Sequence, residues 1–395
     1  DSFLLTLIQS ILTGNASFNQ MVMRLGGFEP LKMSKQALWK RLDQRAIAFL
    51  LEALAASLRE KFLAQSKGKL HPLEAVFHRV LVEDSVSHRL HPSNAEHSPG
   101  HGNGRSKTSV LKVDVTIDLL TGSCLKNALH GGTEQDKELG KNLVDEVVKR
   151  DLVLRDMGYF VIGEFIEIER RGAFWLSRLP ANVIATNEAG EKIEKVLASV
   201  EGEHWQGTVL VGEKEKHRAR FVAVRATPEV ARKNLEEASN RPDGSQRVLT
   251  KEQRERCHWH LIVTNIPRET LTIKQIGELY RCRWSIEIIF RGWKQGMNLA
   301  GALNRRSSEI HHQALILAAI IYQVLTMTAV NLLKPHMHRR ERISVEKVFD
   351  LMFDHLMNIQ DLREWSDIEA DRRHIRMDPR KDRNPLVDTW LQIIS

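Results

Sequence analysis

Apolar residues recur at helical spacing through roughly the first 70 positions and at alternating spacing beyond them. The segments DSFLLTLIQSIL, SFNQMVMRLGGF and SKQALWKRLDQRAIAFLLEAL set apolar side chains three or four apart, so residues 1–70 are expected to form short helices. Ser17 and Ser34 read as N-caps and Gly26-Gly27 as a stop. Lys35, Lys40, Arg41 and Arg45 crowd the last helix, a pattern suited to a helix-turn-helix-like DNA reader as well as to an ordinary helical bundle. From Phe77 the period changes. FHRVLVED is a short apolar run ending in Asp84, and TSVLKVDVTIDLLTG alternates over two segments that should fold back around Ile117 to Gly122. A helical stretch over about Gln135–Arg150 precedes the buried run LVLRDMGYF, whose strand ends at Asp156; a helix over about Tyr159–Arg171 and the strand AFWLSRL follow.

Three strands followed by alternating helices and strands is the order of a ribonuclease-H-like mixed sheet, an α/β fold. Residues 180–267 break that rhythm with GTVLVG, RARFVAVRA and CHWHLIVTNI between Gly, Pro and charged stretches, which reads as a β-rich insertion. The expected organisation is therefore a helical domain over 1–70, a first part of the core over 71–179, the insertion, a second part of the core over 268–333 and a basic region over 334–395. Within the second part, Ala314–Leu333 is free of charge and long enough to span a bilayer, yet it carries Gln323, Thr326, Thr328 and Asn331 and follows a basic segment directly. A buried core helix is expected there, and no membrane partner.

Composition narrows the setting. With 395 residues and 42% hydrophobic content the chain can bury two or three cores, and 58 Lys and Arg against 50 Asp and Glu favour a polyanionic partner. Cys124, Cys257 and Cys282 are far apart and lack paired ligand spacing, so neither a disulfide framework nor a cysteine zinc site is expected and a reducing cytoplasm is the natural compartment. No segment reads as a signal peptide, and since the chain begins at Asp1, further N-terminal sequence is expected.

The richest chemistry lies in YRCRWSIEIIFRGWK, which sets Tyr280, Arg283, Glu287 and Lys294 at offsets of 0, 3, 7 and 14. On one continuous helix, at about 100° per residue, these side chains fall within about 60° of one another along about 21 Å of axis. Local charge pairs stabilise a helix by only about 0.2–0.5 kcal/mol, and the stripe reaches further than such pairs require. A solvated amphipathic face is the plain alternative; a polyanion fits better, with Glu287 on a divalent metal and Tyr280, Arg283 and Lys294 on phosphates. The spacing closely resembles the Tyr-Arg-Glu-Lys signature of DDE transposases of the insertion-sequence-four family, to which the transposon-five transposase also belongs. The resemblance covers about residues 70–330.

Two-metal chemistry needs several carboxylates. Asp84 and Asp156 are the expected partners of Glu287, because each ends an apolar run where a strand leaves a sheet. Their contexts, EDSVSHRL and RDMGYF, resemble the family's two Asp motifs, with Val86 and Met157 where Thr and Arg are commoner. Nearby Asp114, Asp118, Asp136 and Asp151 read as caps or turn residues, and Glu83 should point to the face opposite Asp84. His88, His91, His97 and His101 lie in a polar segment without a cysteine and read as a mobile loop rather than a zinc site. Trp259 resembles the insertion-domain tryptophan that stacks on a flipped base in the transposon-five relative; an ordinary core position, or Trp205 in that role, is the alternative.

The resemblance implies a cut-and-paste DNA transposase. Asp84, Asp156 and Glu287 would hold two Mg²⁺ ions, with Mn²⁺ able to substitute, and Tyr280, Arg283, Lys294 and Trp259 would hold DNA. It further implies double-stranded DNA partners (terminal inverted repeats and target), a hairpin intermediate, a homodimer in the DNA complex and work at the bacterial nucleoid. A ribonuclease-H-like nuclease without strand transfer and a non-catalytic DNA-binding protein are the other classes the sequence leaves open.

Overall fold

The computed structural model of the chain describes residues 2–28, 33–66, 72–102, 107–120, 123–139, 141–213, 216–240, 245–283, 286–287, 290, 293–294, 297–304, 308–333, 337 and 343–358. Two compact units divide them. The first takes in the described residues up to 70, those within 85–134 and those from 284 on; the second takes in 71–84 and 135–283. The basic region beyond Asn358 lies outside the described residues.

In the first unit four helices open the chain: α1 (Ser2–Leu12), α2 (Phe18–Phe28), α3 (Lys35–Arg41) and α4 (Gln44–Ser66). Ser34 caps α3, its hydroxyl accepting the Ala37 N–H at 3.1 Å, and Ser17 accepts the Gln20 N–H at the start of α2. Gly26 and Gly27 sit in ordinary helical backbone inside α2, whose last described residue, Phe28, directly follows Gly27. The apolar segment forms the helix Glu309–Leu333, which packs against α1, α4 and the helix Val345–Asn358. Most of it is buried as expected, and the Tyr322 hydroxyl donates to the Phe349 carbonyl at 2.9 Å.

The strand β1 (Val80–Leu90) runs through both units. It was expected to end at Asp84 and continues past it, because Val86, His88 and Leu90 are buried in alternation with exposed Ser87 and Arg89, which prolongs the period of two. His88 is thus a buried strand residue rather than part of a loop. Beyond it, in the first unit, β2 (Ser109–Asp118) and β3 (Ser123–Gly131) form the expected antiparallel hairpin.

In the second unit the start of β1 pairs in parallel with β4 (Leu152–Arg155), and β4 in parallel with β5 (Phe174–Arg178). The expected long helix before β4 is two short ones, α5 (Asp136–Leu139) and α6 (Lys141–Glu146), with Gly140 between them in the sequence. α7 (Ile162–Arg170) follows β4. Three strands, then helix and strand in alternation around parallel β1, β4 and β5, make the α/β ribonuclease-H-like mixed sheet that the order of elements implied.

The insertion builds β6 (Ala185–Thr186), β7 (His204–Val211), β8 (His217–Arg225) and β9 (Trp259–Thr264), but it is not purely β. It also holds α8 (Ile193–Ala198), α9 (Pro228–Ser239) capped by Thr227, and α10 (Lys251–Cys257), opened by a capping box of Thr250 and Gln253. Its strands extend the same sheet: β9 returns antiparallel to β5, and β8, β7 and β6 follow outward. One core runs beneath this half, from Leu81, Val153 and Trp175 to Phe221, Trp259 and Val263.

Arg220 of β8 ties the insertion to the segment that follows it. Its buried guanidinium donates to the carbonyls of Ile266 (3.3 Å), Pro267 (3.1 Å) and Leu271 (2.8 Å) and to Gln206 Oε1 (3.0 Å), pinning the segment that leads into α11 (Ile273–Arg281). Arg220→Met should therefore destabilise the protein by more than about 2 kcal/mol, read as a lower urea midpoint, since several buried carbonyls lose their donor at once.

Candidate active site

The strands β1 and β4 place two pairs of charged residues back to back. Their parallel register runs from Val80↔Leu152 to Val82↔Leu154; continued, it sets Glu83 beside Arg155 and Asp84 beside Asp156. Successive residues on a strand face opposite ways. On one face, Arg155 Nη2 lies 3.1 Å from Glu83 Oε2 with both side chains fully buried, and Arg155 Nη1 donates to the carboxylate of Glu164 from α7. On the other, Asp84 and Asp156 keep partial exposure, 21% and 37% of their side chains. Asp156 precedes the turn Met157–Tyr159 without capping it, so its carboxylate is not spent on local backbone.

A single guanidinium bridges this front pair. Arg283 Nη1 stands 3.3 Å from Asp84 Oδ2, and its Nε stands 3.8 Å from Asp156 Oδ1. Tyr280 donates its hydroxyl to Asp156 Oδ1 and to the Arg155 carbonyl, each at 3.4 Å. Burial, and then the negative Asp156, push this phenol well above its ordinary pKa against the opposing pull of Arg283 and Arg178, so it stays a neutral donor.

The expected continuous helix over Tyr280–Lys294 is not formed. α11 ends at Arg281, and the Cys282 and Arg283 N–H groups turn back to Leu279 and Tyr280 carbonyls in tight i→i−3 bonds of 3.0 and 3.1 Å. No Gly or Pro lies between Tyr280 and Phe290; the break coincides with Arg283 turning inward to the two carboxylates. Tyr280 and Arg283 are therefore buried residues of the second unit rather than members of an exposed stripe. Glu287, half-buried in a helical turn, and Lys294, exposed in a π-helical turn after Trp293, belong to the first unit. There Lys294 lies near enough to act on His88, whose pKa is pushed down to about 4, chiefly by burial and further by that ammonium. Among the described residues no three His, Cys, Asp or Glu side chains stand together as a metal-holding group.

Trp259 needs correction. It is 2% exposed and belongs to the core, its indole N–H donates to Glu255 Oε1 at 2.9 Å, and the Arg225 guanidinium covers its ring at 4.2 Å. An extruded base finds no open ring face there, because β9 is an interior strand between β5 and β8. Trp205 on β7 is half-buried and packs edge-on against Phe221 at 5.8 Å. Of the competing acids, Asp151 is bound by Arg79 at 2.5 Å and Asp118 accepts the Leu120 N–H at 3.1 Å. The residues that sequence reasoning passed over are Arg155 and Glu164. The signal for Arg155 was the pair of motifs VLVED and LVLRD, in which Glu83 and Arg155 occupy the same place in two apolar runs; Glu164, on the following helix, had no such signal.

Paired, partly exposed carboxylates on neighbouring parallel strands are the kind of donor set that metal-dependent phosphoryl transfer uses. Residues 76–324 match the family described as Transposase DDE domain, and the chain belongs to that family of DDE transposases, of the insertion-sequence-four type. It is similar to the transposase for insertion sequence element IS231F of Bacillus thuringiensis subsp. israelensis, 26% identical over 346 residues, covering 82% of this chain and 72% of the relative. It is also similar to the transposase for insertion sequence element IS1151 of Clostridium perfringens, 28% identical over 291 residues, covering 67% and 59%. A cryo-EM structure of the piggyBac transposase synaptic complex with hairpin DNA matches at 11% identity and a TM-score of 0.38, covering 76% of this chain and 58% of that one, too slight a likeness to carry anything across. The protein is accordingly an enzyme that cleaves and transfers DNA.

Two stability outcomes follow from this geometry. Arg155→Met should cost about 3–5 kcal/mol in denaturant unfolding by leaving two buried carboxylates without their cation, while the triple change Arg155→Met, Glu83→Gln, Glu164→Gln should cost less than the single one. Trp259→Ala should cost about 3–5 kcal/mol as a large core truncation, with a smaller loss for Trp205→Ala.

Proposed function

We propose that Asp84 and Asp156, joined by Glu287, are the carboxylates of the transposase active site and hold two Mg²⁺ ions, with Mn²⁺ as a substitute. The observation that carries this reading is the convergence of Asp84 and Asp156 on the one Arg283 guanidinium. The donor set fits a hard cation: carboxylate oxygens, partly exposed, met by the Tyr280 phenol and the Arg283 guanidinium. Divalent cations bound there supply the charge that stabilises the leaving oxygen at the scissile phosphate and ease deprotonation of a water or a 3′-hydroxyl.

The chain's own residues then have separate tasks. Tyr280, kept neutral, donates to Asp156 and orients that carboxylate. Arg283 neutralises the front pair while no other cation does so, and its guanidinium is the nearest donor for a backbone phosphate brought to the two aspartates. Lys294, exposed in the first unit, meets a phosphate further along the duplex. The substrate is double-stranded DNA, the terminal inverted repeats of the element and then its target, and the working assembly is a homodimer on those ends. Buried, unpaired Cys257 and Cys282 suit the reducing cytoplasm, at the nucleoid where that DNA lies.

Labelled duplexes carrying the terminal repeats test the reading. Asp84→Ala, Asp156→Ala and Glu287→Ala should each lower Mg²⁺-dependent cleavage by about 100-fold or more while duplex binding persists. Near-normal cleavage by any one variant would remove that residue from the triad, and cleavage by the native chain without joining to a target duplex would leave a nuclease. Lys294→Ala should leave Mn²⁺ binding intact and reduce the slope of log K against log salt by about 0.9, the loss of one phosphate contact.

A further inference from the structure

A second group of cations borders the aspartates within the same unit. The register Arg155↔Ser177 sets Arg178, the last residue of β5, beside Asp156. On the other side of β5, Arg178 pairs with Ile262 of β9, so His260, two residues along β9, shares the face of Arg178. Arg281, the last residue of α11, is exposed and directly follows Tyr280. Arg178 and Arg281 both lie close enough to act on His260, which lies below its ordinary pKa, first through burial and then through their charges. Arg178 also acts on Tyr280.

Like charges gathered at the ends of neighbouring strands repel one another and are usually relieved by acids nearby. Here no ion pair relieves them: among the described residues no carboxylate stands within salt-bridge distance of Arg178 or Arg281. Two guanidiniums and an imidazole facing partial solvent, beside carboxylates that receive a reacting phosphate, leave room for an anion rather than for another cation.

We propose that Arg178 and Arg281, with His260 between them, form a phosphate-binding subsite that holds the DNA backbone next to the scissile position. It rests on the reading of Asp84 and Asp156 as the catalytic pair. Its physical role is to fix the strand that enters the site by bidentate guanidinium contacts, so that the phosphate presented to the aspartates is a defined one rather than any phosphate of the duplex.

The test uses the full chain and a fluorescein-labelled duplex in metal-free buffer. Dissociation constants measured over a range of salt concentrations should give slopes reduced by about 0.9 for Arg178→Ala or Arg281→Ala and by about twice that for the double variant. Lys251→Ala, a surface cation at the start of α10, should leave the slope unchanged. Arg281 is exposed, so its variant reports on binding even if Arg178→Ala fails to fold. Wild-type slopes in both single variants, or an equal loss in Lys251→Ala, would overturn the subsite. Mn²⁺ binding read by electron paramagnetic resonance separates the two ideas. If Asp84→Ala and Asp156→Ala abolish it while both arginine variants keep wild-type slopes, the subsite fails and the metal site stands. If the slopes fall but the aspartate variants keep Mn²⁺ binding, the subsite stands and the metal reading fails.

Discussion

A fully buried guanidinium, that of Arg155, sits between two carboxylates inside the second unit, and the placement of Asp84 beside Asp156 depends on it. An arginine cannot shed its charge, so removing it from water is tolerable only where acids meet it with good geometry. Glu83 and Glu164 do so, one from the neighbouring strand and one from the helix that follows. The cluster forms only if β1 and β4 lie in the observed register. A slip of one residue would turn Asp84 into the interior and Glu83 out of it, leaving Arg155 without its nearest acid. A buried charge cluster of this kind specifies an alignment more surely than it adds stability.

The two faces of these strands carry the same motif under different conditions. Behind, one arginine between two acids is sealed from water and permanent. In front, Arg283 between Asp84 and Asp156 is a looser arrangement, at 3.3 and 3.8 Å, with both acids partly exposed. Partial exposure lowers the cost of exchanging partners, because water covers the carboxylates during the exchange. The buried cluster thus supplies a rigid base and the front cluster an exchangeable one, as the proposed site would need. Tyr280 joins the two, donating to the Arg155 carbonyl and to Asp156 from one hydroxyl.

The insertion adds to this base. Its strands add to the same sheet through β9, Trp259 is spent on the core, and Arg220 clamps the approach to α11. Arg225 over the Trp259 ring closes that face with a cation–π contact, whose attraction grows as the ring is desolvated.

Local pattern alone determined the helices of the first 66 residues with the caps at Ser17 and Ser34, the β2–β3 hairpin, the strand before Asp156 and the buried helix Glu309–Leu333, because periodicity and capping are short-range properties. The spacing of Tyr280, Arg283, Glu287 and Lys294 likewise pointed to the family, since residue types at set intervals need no fold to be counted. Tertiary structure decided the rest. It carried β1 beyond Asp84, ended α11 at Arg281 although no breaker stands there, and buried Trp259, whose position between β5 and β8 depends on pairings far apart in the chain. Above all it brought Glu83 to Arg155 and Asp84 to Asp156. These partners are about 70 residues apart, and only the register of two parallel strands sets which acid meets which charge.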